Sequence, residues 1–215
     1  MKEIFCTIGP SSLNTKFLKG IRGKGVTLLR INLSHTKTHQ LKSIIKKIRK
    51  NTNVPICLDT EGAQVRTVYN NKRKFLNLNK VIKIDNKLNS KNLSFFPNIF
   101  HDVEKNLVFD IGFENLKIKI IKKSKKHALG KVISSGYLDK NKGVHVVNKK
   151  IKLAALTHKD LICIKIAKEN NVKHFALSFT NSVEDVRYFN NLLKGHKKIF
   201  KIETKSALKN LNSIL

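Results

Sequence analysis

The run Val26-Thr27-Leu28-Leu29-Arg30-Ile31-Asn32-Leu33-Ser34-His35 holds the densest polar chemistry in this chain of 215 residues. On an extended strand side chains alternate faces, so Arg30, Asn32 and Ser34 share one face and Leu29, Ile31 and Leu33 the other. A parallel strand within an α/β fold is ordinarily apolar on both faces, and burying an unpaired guanidinium or amide there is costly. The polar face should therefore meet a ligand or ions; the other reading is an edge strand with one solvated face. A second candidate is Asp59-Thr60, which ends an apolar run and is followed by Glu61-Gly62-Ala63-Gln64-Val65-Arg66-Thr67. A carboxylate and a hydroxyl at a strand's C-terminal end lie where α/β barrels build their sites, and Arg66 can grip phosphate; alternatively the segment is a turn with an exposed Arg. The third is Lys201 with Glu203, two apart and so on one face at the end of the run Lys197-Lys198-Ile199-Phe200-Lys201-Ile202-Glu203. They form either a structural ion pair or a metal-binding Glu beside a Lys that neutralises charge on a transferred phosphoryl group.

The elements that must position these residues follow from hydrophobic spacing. Strands are expected over 3–7, 26–32 and 54–58, with helices over 14–22 and 39–50 between them. From 68 to 150 the pattern turns β-rich and turn-broken, with strands over 80–85, 107–109, 116–121 and 131–134. The βα rhythm then returns: a helix over 157–170 capped by Thr157, a strand over 174–178, a helix over 182–193 capped by Ser182 with Asp185 at its third position, a strand over 198–202 and a helix over 205–215. Five βα units of this kind imply a parallel sheet of α/β class. The domains are thus 1–67, an inserted β domain over 68–150, and 151–215.

Composition narrows the function classes. With 40% apolar residues the chain can bury a core. Cys6, Cys57 and Cys163 are odd in number, widely spaced and set in apolar runs, which reads as buried free thiols in a reducing compartment, the cytoplasm. The first twenty residues resemble neither a secretory signal nor a membrane span. A net charge of +30 raises nucleic-acid binding as a function, but 38 of the 44 basic residues are Lys, spread over nearly every segment instead of forming a stripe, and Asn is also in excess. That distribution argues for solvated faces and against a nucleic-acid partner, while leaving a field that attracts anionic small molecules.

Taken in order, these pieces resemble the pyruvate kinase family over essentially the whole chain. The resemblance rests on Cys6-Thr7-Ile8-Gly9-Pro10-Ser11-Ser12, Arg30-Ile31-Asn32-Leu33-Ser34-His35, Leu58 through Thr67, Pro97-Asn98 with Asp102-Val103, Phe109-Asp110-Ile111-Gly112, Lys142-Gly143-Val144, Leu156-Thr157-His158-Lys159-Asp160, Ser178-Phe179 with Asp185-Val186, and Lys201-Ile202-Glu203. It implies a partial (β/α)8 TIM barrel of about five βα units carrying an inserted small β-barrel domain. It further implies transfer of the phosphoryl group of phosphoenolpyruvate to ADP, giving pyruvate and ATP, with Mg2+ (or Mn2+) and K+ as cofactors and a homotetramer as the complete assembly. Carried over by residue, Arg30 would contact the phosphoryl group, and Asn32, Ser34, Asp59 and Thr60 would surround the monovalent cation. His35, Arg66 and Lys142 would join Arg30 and Asn32 in binding substrate or nucleotide. Lys201 would stabilise the phosphoryl group in flight, and Glu203 would hold the divalent metal.

Glu61 stands where the family usually carries Lys, Ala63 where it carries Pro, and Gln64 where it carries Glu or Lys, which bears on efficiency and cation dependence. The family's second metal carboxylate has no counterpart before Leu215, so an amino-terminal portion is expected, with phosphoryl transfer by these residues alone in question. Two other readings are a divergent metal-dependent barrel acting on pyruvate or its enolate, and a basic binding module without catalysis.

Overall fold

The computed structural model describes residues 3–21, 23–88, 91–112, 114–149 and 151–215. Its first stretch runs β1 (Ile4–Ile8), α1 (Thr15–Gly20), β2 (Val26–Asn32), α2 (Thr38–Asn51) and β3 (Ile56–Asp59). The middle contributes β4 (Val65–Val68), β5 (Lys74–Leu76), β6 (Val81–Asp85), β7 (Ser94–Phe96), β8 (Val108–Ile111), β9 (Leu116–Lys123), β10 (His127–Ser134), β11 (Gly136–Leu138) and β12 (Gly143–Val146). Strand and helix alternate again through α3 (His158–Glu169), β13 (His174–Leu177), α4 (Val183–Leu192), β14 (Lys197–Phe200), α5 (Lys205–Lys209) and α6 (Leu211–Ile214). Two compact units result, Met1–Ala63 with Ala154–Leu215 and Gln64–Leu153. The dividing points therefore differ by a few residues from 67 and 150, of which 150 lies outside the described residues.

In the first unit β1, β2, β3, β13 and β14 form one sheet in that order, every pair parallel. Parallel neighbours cannot be joined by a tight turn, so each connection carries a helix or, between β3 and β13, the second unit and α3. Side-chain alternation sorts the sheet into two faces. Leu29, Ile31, Leu58, Phe175 and Leu177 point to one side and pack with Leu41, Ile45 and Ile48 of α2, Ile164 and Ala167 of α3 and Phe189 of α4. On the other side Leu28, Cys57, Ala176 and Ile199 form a small apolar layer. Two residues further along each strand direction stand Arg30, Asp59, Ser178 and Lys201, so a polar layer must sit next to the apolar one.

Local chemistry sets the helix starts. Thr157 and Ser182 cap α3 and α4 as expected, each closing a capping box, Ser182 with the expected Asp185 and Thr157 with Asp160, and Asn14 caps α1 by accepting from the Phe17 N–H at 2.8 Å. The helix expected over 14–22 closes at Gly20; Arg22 lies outside the described residues. Two further expectations are corrected. The helix over 205–215 is two short helices meeting at Asn210, whose side-chain amide donates to the Asn181 carbonyl at 2.8 Å instead of facing solvent. The strand over 198–202 ends at Phe200, although the Lys201 N–H still donates to Leu177 O at 3.0 Å.

The second unit has its own core, built on Phe95, Phe109, Ile111, Ile118, Ile120 and Val132. Its main sheet has seven strands in the order β6-β10-β9-β8-β12-β4-β7, and β11 pairs separately with β5. An isolated bridge between Ile84 and Leu93, with the Asp85 N–H donating to Leu93 O at 2.8 Å, links β6 to the residue preceding β7 and nearly closes the sheet on itself. Turns use Asn79, Asn106, Asn115 and Asn141 with positive φ, a conformation Asn tolerates better than other side chains.

Candidate functional site

Asp59 ends β3 with no exposed surface. A buried carboxylate needs partners, and it draws them from three other strands. Its Oδ2 accepts from Arg30 Nε of β2 at 2.6 Å and from Lys201 Nζ, just past β14, at 3.0 Å, and it also pairs with a terminal nitrogen of Arg30. Its Oδ1 accepts from Ser178 Oγ, after β13, at 3.2 Å. Arg30 reaches across to β1 as well, donating to Thr7 Oγ1 at 3.0 Å. The Arg30 and Lys201 side chains remain 32% and 24% exposed. The carboxylate is thus sealed beneath two cations that keep contact with solvent, an arrangement that can receive an anion.

Ser178 ties the layer together: its N–H donates to Thr60 Oγ1 at 3.0 Å, and the single proton of its hydroxyl is shared between Thr60 O at 2.7 Å and the more distant Asp59 Oδ1. Glu203 lies 3.5 Å from Lys201 Nζ through Oε1, and its Oε2 accepts the Phe179 N–H at 3.0 Å. Phe179 adopts φ +54, which costs a bulky residue about 1–2 kcal/mol. That turn aims its N–H at Glu203, and strain of this kind gathers at functional sites. At the end of β2, Asn32 Oδ1 accepts from the Ser34 N–H at 3.0 Å and caps a 3-10 turn over Leu33–His35. Beneath the polar layer, burial first and the neighbouring Asp59 second push the Cys57 thiol up to about 12, against the pull of Arg30 and Lys201.

The model of the pyruvate kinase barrel domain matches residues 1–215. The chain belongs to the pyruvate kinase family. Among curated relatives, the pyruvate kinases of Staphylococcus epidermidis strain RP62A and Staphylococcus aureus strain MRSA252 are 31% and 30% identical over 230 positions, covering 99% of this chain and 39% of each enzyme. Among solved structures, Cryptosporidium parvum pyruvate kinase superposes with a TM-score of 0.89 at 25% identity, covering 99% of this chain and 49% of that one. The chain therefore spans well under half the length of the curated pyruvate kinases it matches.

Within this pyruvate kinase family member the structure brings Arg30, Asp59, Thr60, Lys201 and Glu203 into one layer, with Asn32 at the adjoining strand end. Arg66 and Lys142 sit in the second unit, where β4 and β12 pair Arg66 with Gly143; Arg66 donates to Asn141 O at 3.3 Å and Lys142 Nζ meets Glu114 at 3.0 Å. Ser34 and His35 share the 3-10 turn. Sequence reasoning missed Thr7, Ser178 and Phe179 as site residues; only the strand-end position of Thr7 and Ser178 could have flagged them. The donor set fits hard cations. Asn32, Asp59, Thr60 and Ser34 offer oxygens, and Glu203 offers a carboxylate that suits an ion completing its shell with substrate oxygens and water. Among the described residues no group of three or more His, Cys, Asp and Glu forms a metal cluster, and no helix is long and apolar enough to cross a membrane.

Proposed function

We propose that this chain carries the phosphoenolpyruvate-binding part of a pyruvate kinase, a phosphotransferase that moves the phosphoryl group of phosphoenolpyruvate to ADP, giving pyruvate and ATP. The observation that carries the reading is the convergence of Arg30 and Lys201 on Asp59, beside Glu203, at the C-terminal ends of parallel strands. Ligands of α/β barrels bind at that end. Our reading of the sheet is accordingly a partial (β/α)8 barrel of five βα units with the second unit as a small inserted β barrel.

Arg30 binds the phosphoryl oxygens, its guanidinium matching their fork geometry. Lys201 neutralises the charge that grows on the phosphoryl group and on the enolate left behind, an interaction stronger in the transition state than in the ground state. Glu203 would hold Mg2+ or Mn2+, and Asn32, Ser34, Asp59 and Thr60 would hold K+. When bound, these ions supply charge neutralisation to the phosphoryl oxygens. In the second unit Arg66 and Lys142 take nucleotide phosphates, and His35 belongs to the substrate-binding set. The protein acts in the cytoplasm and, in its complete form, as a homotetramer.

Calorimetric titration with phosphoenolpyruvate in Mg2+ and K+ tests the reading. Binding is expected, and Arg30→Ala should weaken it at least about tenfold, since a charge-assisted bidentate contact is lost. In a full-length pyruvate kinase carrying these residues, Lys201→Met should leave binding within a few-fold while turnover falls by about 10²–10³, the loss seen when one charge-stabilising donor is removed. A parent protein that ignores phosphoenolpyruvate, or a Lys201→Met variant of normal turnover, overturns it.

A further inference from the structure

The first turn of α3 carries two charged residues that reach loops about a hundred residues earlier in the chain. Asp160 is fully buried and both its oxygens are used. Oδ1 accepts from the Glu61 N–H at 2.7 Å; Oδ2 accepts from the Gly62 N–H at 3.2 Å and from the N–H and hydroxyl of Thr157, each at 2.9 Å. One carboxylate thus starts α3 and fixes the turn after Thr60. Lys159 sends Nζ to Leu33 O at 2.6 Å and to the Glu61 carboxylate at 3.0 Å. Leu33 opens the 3-10 turn bearing Ser34 and His35, and its carbonyl otherwise receives the Thr36 N–H at 3.2 Å.

Together these contacts clasp the two loops that follow β2 and β3, the loops on which the oxygen donors sit. A site of this kind works only if its supporting contacts hold its members within a fraction of an ångström. Position 61 now makes sense. A lysine there would confront Lys159 with like charge, whereas Glu61 pairs with it while only 15% exposed.

We propose that Lys159 and Asp160 are positioning residues for the anion- and cation-binding loops, and that Glu61 is the partner that holds Lys159 in that role. The departure from the family's usual lysine therefore supports the site. This inference rests on the reading of the site as one for a phosphorylated anion.

The test combines amide hydrogen exchange with phosphoenolpyruvate titration on the parent protein, Lys159→Met, Glu61→Lys and the double reversal Glu61→Lys with Lys159→Glu. Lys159→Met should speed exchange of the Thr36 amide and weaken phosphoenolpyruvate binding, each about tenfold, the worth of one charged hydrogen bond. Glu61→Lys should lower the melting temperature. The double reversal should restore that temperature by re-forming the pair, but not Thr36 protection or affinity, because a carboxylate cannot donate to Leu33 O. Restoration of all three by the double reversal would show a merely structural pair and overturn the proposal, as would unchanged Thr36 exchange in Lys159→Met. If Lys159→Met does not fold, Glu61→Gln replaces it and should speed Thr36 exchange about threefold; no change there is equally fatal. A parent protein that binds no phosphoenolpyruvate defeats the functional reading alone, and the exchange data still decide the clasp.

Discussion

Asp59 spends its charge on two cations at once, and that sharing defines the residue-scale logic of the site. A buried ion cluster is weak evidence of stability, because desolvation offsets much of the attraction, so its presence is better explained by what the exposed ends of Arg30 and Lys201 can receive. Strand alternation made Arg30 and Asn32 legible in the sequence, since polar residues on a strand that ought to be apolar demand a reason, while Lys201 and Glu203 were found by their two-residue spacing although β14 stops at Phe200. Ser178, marked only by its place at a strand end, and Phe179 were not read as site residues. The first acts through contacts to loops far off in sequence, and the second through a left-handed backbone turn that its side-chain type does not announce. Cys57 gives a residue-scale prediction. With its thiol at about 12, the thiolate that reacts is scarce at pH 8, so alkylation of the folded protein should modify the half-buried Cys6 well before Cys57, and denaturant should equalise them. The sign for stability also follows. The folded state keeps the proton that the unfolded thiol loses near 9.0, so Cys57 contributes stability below that pH which is lost as pH rises towards about 12. Cys57→Ala should flatten that decline in an alkaline melting series; an unchanged slope, or Cys57 labelled as fast as Cys6, would place the thiol in a polar setting instead.

Elements fixed by local chemistry were the ones the sequence reveals: β2 runs over the expected 26–32, and both capping boxes sit on Thr157 and Ser182. The strands β4, β5, β7, β11 and β12 went unread because each is three or four residues long and gains its stability from distant partners, as when Val65 of β4 meets Val144 of β12. Sequence windows carry no such pairing information. The break at Asn210 was hidden for the same reason, its cause being a carbonyl at Asn181. The turn after β3 shows how tightly two elements of the site are joined. Gly62 has φ +72, and a Cβ there would stand 2.7 Å from Ser178 Cβ and 2.8 Å from Ser178 O, too near for either to remain in place. Gly62→Ala combines left-handed strain with overpacking against backbone and should destabilise the protein by about 2–4 kcal/mol. It should also displace the Ser178 hydroxyl from Asp59. Chemical denaturation of the variant checks the first claim, and a loss below about 0.5 kcal/mol, the range of neutral surface changes, would mean that the turn yields without disturbing Ser178.

At the scale of the whole molecule the composition sets a limit that no arrangement of side chains removes. With 44 basic and 14 acidic residues, a net charge of +30 remains however the acids are paired. Ion pairs such as Lys117 with Asp110 and Lys149 with Glu104 lie at the surface and contribute little. The compact state therefore repels itself, and the repulsion reaches far at low ionic strength, where the screening length is about 30 Å at 0.01 M, and is short-ranged near 1 M. Melting temperature should accordingly rise by about 5–10 °C between about 10 mM and 500 mM NaCl, an interval over which most of the surface field is screened. Phosphate at matched ionic strength should raise it further if the proposed phosphoryl-binding site draws the anion to Arg30 and Lys201, since any ligand of the native state stabilises it. The two effects separate by mutation. Arg30→Ala should keep the chloride response, which belongs to the whole charge, and lose the extra increment from phosphate, which belongs to the site. A melting temperature indifferent to NaCl would mean that the positive charges already lie too far apart to repel. A phosphate increment that survives Arg30→Ala would assign it to the general field of the lysines and not to the layer above Cys57.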